Sequence, residues 1–124
     1  MLGRTLCVAV FFGIAAQVAV AQASPEVEAT MNKMLAALQT KSLTDFVAGG
    51  DTRFRASMTQ WLFDGVSVQF APRLKKGYTT TFLGSLNQQG YTVYLWKLQF
   101  KAGGDDLLVT MAAKEGKVGG FFLR

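Results

Sequence analysis

Two hydrophobic rhythms divide the chain. From Ser24 to about Phe70 the apolar residues recur at three- and four-residue steps, the spacing of one helix face. From Tyr78 onward they recur at every second residue, the spacing of a strand. Val27, Met31, Met34, Leu35 and Leu38 form the first stripe. Ser24 is placed to cap that helix and Pro25 suits its first position. Glu26 and Glu28 fall in its first turn, where negative charge is favoured. The helix should fade near Thr40. Ser42 then opens a short second helix carrying Leu43, Phe46 and Val47, which Gly49 and Gly50 end. A third begins after Asp51 or Thr52, with Phe54, Met58, Leu62, Val66 and Phe70 at four-residue steps, and Pro72 should end or kink it. A strand over "VSVQF", residues 66 to 70, is the alternative; we read helix.

After Gly77 the pattern predicts four strands: Tyr78 to Leu86, Tyr91 to Phe100, Leu107 to Lys114 and Val118 to Arg124. The turn-rich stretches "NQQG", "AGGDD" and "EGK" separate them. Gly84, Gly119 and Gly120 interrupt strands, as bulges or close approaches of backbone do. Helices first and an antiparallel meander after predict an α+β domain, two to three N-terminal helices on a curved four-stranded antiparallel sheet.

The leader changes the picture of where this domain works. Arg4 precedes an almost wholly apolar run from Leu6 to Val20, and "AVAQAS" follows with small residues at Ala21 and Ala23. This is the pattern of a signal peptide over residues 1–23, cut after Ala23, with a single domain over 24–124. The run approaches the ~20 apolar residues of a membrane span, so a retained anchor is the alternative. On the cleaved reading no stable span remains, and the product is secreted or periplasmic. Cys7, the only cysteine, would leave with the leader, and the chain has no histidine. Thiolate nucleophiles, Ser-His-Asp triads and ordinary zinc sites are thereby excluded, and no metal or cofactor is expected. An exported domain without cysteine must be held by its core alone, which suggests a bacterial envelope protein.

Charge adds little. Thirteen Lys and Arg stand against eight acids, and losing Arg4 leaves +4. That is too little and too dispersed for nucleic acid. The densest cluster, "RLKK", is a basic helix end; Arg73, Lys75 and Lys76 are the candidates for contact with anionic envelope polymers. Asp105 and Asp106 fit turn chemistry, and Asp51 a helix cap. Lys97 alternates with Trp96 and Leu98, which places it on the outer sheet face. The candidate ligand pocket joins Trp61 and Asp64 of the third helix to Tyr94 and Trp96 of the second strand. It would take a small apolar ligand.

"YLWKLQF", "GGDDLLV" and "GKVGGFF", in order along the last fifty or so residues, resemble the C-terminal sheet of small secreted members of the nuclear transport factor 2-like superfamily. The resemblance implies a cystatin-like cone with a cavity between sheet and helices, and pairing of copies through the outer sheet face. It also brings in enzymes that set a catalytic Asp, often with Tyr or His, inside the cone. No such catalytic motif carries over residue by residue. The expected function is therefore a non-catalytic binding or assembly module, forming a homodimer through its sheet or holding a small apolar ligand in the cone. Carboxylate acid–base catalysis of isomerase type and electrostatic binding of anionic polymers are the alternatives.

Overall fold

The computed structural model describes Gly3 and residues 22–124; the expected signal segment lies almost wholly outside them. Four helices precede four strands: α1 (Pro25–Thr40), α2 (Leu43–Val47), α3 (Thr52–Ser57), α4 (Gln60–Lys75), then β1 (Tyr78–Gln88), β2 (Tyr91–Phe100), β3 (Leu107–Lys114) and β4 (Lys117–Leu123). The arrangement is α+β, with the helices on one face of an antiparallel sheet of order β1-β2-β3-β4.

Helix α1 forms where its sequence places it. The Ser24 side chain accepts from the Val27 N–H, and Pro25 occupies the first turn. It stops at Lys41, whose backbone is left-handed and whose N–H returns to the Ala37 carbonyl. Met31, Met34, Leu35, Ala37 and Leu38 turn to the core. Burying one side chain of this size contributes roughly 1.5–3 kcal/mol.

The single third helix expected after Asp51 is two helices. Met58 leaves helical geometry, and the Thr59 hydroxyl accepts from the Leu62 N–H at 3.2 Å, starting α4 afresh. The four-residue series therefore does not make one stripe. Phe54 is buried at α3, whereas α4 buries Phe63, Ser67, Phe70, Ala71 and Leu74. Pro72 neither ends α4 nor marks its last residue, since the helix runs on to Lys75 with the proline on its exposed side. The buried Ser67 hydroxyl donates to the Leu38 carbonyl at 2.9 Å and ties α4 to α1.

Strands β2 and β3 have the predicted bounds. Opposite β2, strand β1 carries an extra residue: Phe82 pairs with Trp96 and Gly84 with Leu95, leaving Leu83 in a bulge. Gly84 has φ +146°, a conformation open to glycine and strained for other residues. A second register shift, between Ala112 and Ala113, lies opposite Gly119. The inner face joins Trp96, Leu98, Phe100, Val109, Met111 and Phe121 to the helices in one core. Strand β4 is an outer strand of the sheet, and Gly50 bridges to Val118 at its start.

Candidate functional site

The even face of β2 is core. Trp96 is fully buried and its indole Nε1 donates to Glu28 Oε1 of α1 at 2.9 Å. Its ring meets those of Phe82 and Tyr94, at 5.5 and 6.1 Å between centroids. Phe82 and Tyr94 are both half-buried, and Trp96 is the buried member of this trio. Burial of an indole demands a partner for its N–H, and Glu28 supplies it. Sequence reasoning missed Glu28 as anything but a first-turn acid, because the contact spans 68 positions.

The structure does not assemble the expected pocket of Trp61, Asp64, Tyr94 and Trp96. Trp61 is 80% exposed, and the exposed Asp64 accepts from Gln60 on the surface of α4. Tyr94 and Trp96 sit inward on the sheet beside α1. The reason is rotation: Trp61 and Phe63 are two positions, about 200°, apart on a helix, and Phe63 is the one that enters the core. The basic helix end is likewise divided. Arg73 stacks its guanidinium 3.8 Å above the Phe100 ring and donates to the Asp105 carbonyl, so it clasps the β2–β3 turn. Lys75 and Lys76 remain exposed.

A cavity of about 240 Å³ lies elsewhere, between α4 and β4. Met58, Phe63, Val66, Phe70, Phe121 and Leu123 are among its walls, and among the described residues Gln69 is its single side-chain polar group. No acid enters it. Six of the eight acids are exposed; of the other two, Glu28 holds Trp96 and Asp51 caps α3, accepting from the Phe54 N–H at 2.7 Å. Among the described residues no three acids gather where a cation could bind.

The outer sheet face is the larger surface. Register places Leu86 of β1, Val93 and Leu95 of β2, Ala112 of β3 and Phe122 of β4 on it, with Lys97 toward the other end. Val93, Thr110 and Ala112 floor a shallow hollow of about 600 Å³, rimmed by Gln88, Tyr91, Phe122 and Arg124. Phe122 stands 51% exposed at that rim, with the Arg124 guanidinium 5.4 Å from its ring centroid. Among the described residues no helix is long and apolar enough to cross a membrane.

No family model and no curated protein matches the chain. Among solved structures it is similar to an uncharacterized cystatin-fold protein from Novosphingobium aromaticivorans, at 12% identity and a TM-score of 0.43. The match covers 80% of this chain and 97% of that one.

Proposed function

We propose that this chain is an exported, non-catalytic assembly module of the nuclear transport factor 2-like superfamily that pairs with a second copy through the outer face of its sheet. The observation that carries the reading is a knob beside a hollow on one face. Phe122 projects at the rim of a depression floored by the small side chains of Val93, Thr110 and Ala112. A two-fold interface is self-complementary, so the same patch must offer both projection and recess. Leu86 and Leu108, both exposed on that face, extend the apolar area that such a contact would bury.

Other readings have less behind them. Proton transfer by a carboxylate needs an acid held near a reacting group, and no acid reaches the cavity beside α4. A cone lined by Trp96 has no room beside that fully buried ring. Attachment to anionic polymers loses Arg73 to its clasp on the β2–β3 turn. Export rests on the leader, Arg4 with the apolar run to Val20.

Sedimentation of the purified chain tests the pairing. A dimer is expected, and Phe122→Glu, which sets a charge at the centre of the contact, should convert it to monomer with an unchanged circular dichroism spectrum. A wild-type protein that stays monomeric across the micromolar range removes the proposal.

A further inference from the structure

The remaining edge of β4 and the cavity beside it face the same space. Arg124 exchanges both backbone hydrogen bonds with Leu108 of β3, at 2.8 and 3.1 Å. In an antiparallel ladder alternate residues turn their N–H and C=O to the other side. Phe121 and Leu123 therefore aim theirs away from β3, and both residues also line the cavity. Among the described residues only the start of this edge is covered: Asp51 donates to the Val118 carbonyl and Val118 to that of Gly49, each at 2.9 Å. Gly50 fits there because a Cβ would stand 2.5 Å from the Phe54 ring. Beyond Val118 no described strand pairs with the edge of β4 that faces away from β3. Natural edges are commonly blunted by a charge or a proline; from Val118 to Leu123 there is neither.

We infer that this edge and cavity bind an extended peptide strand that places one large apolar side chain between α4 and β4 and carries acidic residues on either side of it. Backbone donors and acceptors spaced two residues apart are satisfied by another extended chain, and a neighbouring apolar recess selects its side chain. The cavity of about 240 Å³ has room for a side chain of phenylalanine or leucine size. Charge sets the flanks. Arg124 follows the open edge, and Arg55 and Lys117 line the hollow at its covered start. No acid lines either the cavity or that hollow; the Asp51 carboxylate, beside Gly119 at the covered start of the edge, is engaged in capping α3. This surface is separate from the outer-face hollow apart from Phe122, Arg124 and the strand they share.

The test uses the purified chain and an acetylated, amidated pentapeptide, EVFVE. Added to about 1 mM, where even weak contacts are populated, it should shift the backbone amide resonances of Phe121 and Leu123 and the methyl resonances of Val66. Two N-methylated versions then ask whether the contact is a strand pairing. One is methylated at both valines, the other at the phenylalanine. A docked strand turns only one set of N–H groups to β4, so one version should lose at least tenfold in affinity and the other should keep it. Val66→Lys, which fills the mouth of the cavity, should abolish the shifts, whereas Leu86→Glu, on the outer sheet face and away from the cavity, should leave them. Absence of shifts at Phe121 and Leu123, or equal binding of the two methylated peptides, overturns the proposal.

Discussion

Helices α1 and α4 are both sixteen residues long and lie against each other, joined by the Ser67–Leu38 hydrogen bond. Their outer faces differ. Opposite its core stripe, α1 shows water Glu26, Ala29, Asn32 and Lys33, as an amphipathic helix with one buried side should. Opposite its own stripe, α4 shows Trp61, Leu62, Gly65, Val68 and Pro72, with charge only at Asp64 and at the Lys75–Lys76 end. Exposed single hydrophobics are ordinary, but a contiguous patch marks a surface with work to do. The patch on α4 continues through Val66 and Gln69 to the cavity beside β4. The α1 side of the molecule is finished by its own packing, and the α4–β4 side is where apolar surface is left over.

Truncation of equivalent leucines on the two helices should give the widest separation. Leu38 is fully buried and Leu62 is 44% exposed. Leu38→Ala should cost about 2–5 kcal/mol, the transfer free energy plus the cavity it leaves. Leu62→Ala should cost a small fraction of that. Urea unfolding of both variants decides, and similar losses would mean that the α4 face is packed in solution.

The tie between the helices should come next. Ser67→Ala removes the donor to the Leu38 carbonyl, which the end of α1 leaves without a backbone partner because the Ser42 N–H returns to Ala37, so a loss of about 1–3 kcal/mol is expected. Asp51→Ala removes the cap of α3 and should cost about 1 kcal/mol or somewhat more, with extra fraying where Gly50 meets Val118. Hydrogen exchange at the Val118 amide, which donates to Gly49, should accelerate in Asp51→Ala and stay slow in Ser67→Ala.

A smaller effect lies at high pH on the α1 side. Burial raises the ionisation of the Tyr78 hydroxyl above its ordinary value of 10.0, and the hydrogen bond from Gln39 Nε2 partly opposes this. The folded state therefore holds that proton more tightly than the unfolded chain. The contribution is full below about pH 10 and is lost as pH rises through the folded value. Tyr78→Phe should flatten the stability profile above about pH 10 relative to wild type. Parallel profiles would mean that Tyr78 is open to water in solution.

The same contrast governs what could be read from the chain. Helix α1, β2 and β3 were legible because pattern and punctuation agree: Ser24–Pro25 opens the helix, and "NQQG" and "AGGDD" frame a run of period two. Helix α4 was not, because Phe54, Met58, Leu62, Val66 and Phe70 pass for one continuous face. The hydroxyl of Thr59 was the available signal for a new start. The four-residue pocket failed for a related reason. Whether Trp61 or Phe63 faces the sheet depends on how α4 is rotated, and the sequence offers aromatic residues to both sides. Lys97 was legible as outward because alternation in a strand has no such freedom. The cavity beside β4 depends on how far that strand stands from α4, a tertiary distance that no local spacing encodes.

Trp61→Ala should have the smallest effect on folding and is the sharpest probe of the α4 face. Exposed substitutions away from caps and buried networks usually shift stability by no more than about 0.5 kcal/mol, and at 80% exposure the Trp61 ring meets little of its own chain. Urea unfolding of Trp61→Ala at low protein concentration should therefore match wild type. The same comparison at high concentration carries the information. If the midpoints still coincide, self-association does not use this face, which agrees with pairing through the outer sheet. If wild type alone gains stability with concentration, Trp61 is buried between copies. The second copy would then sit on α4, and the outer-sheet interface would have to be abandoned.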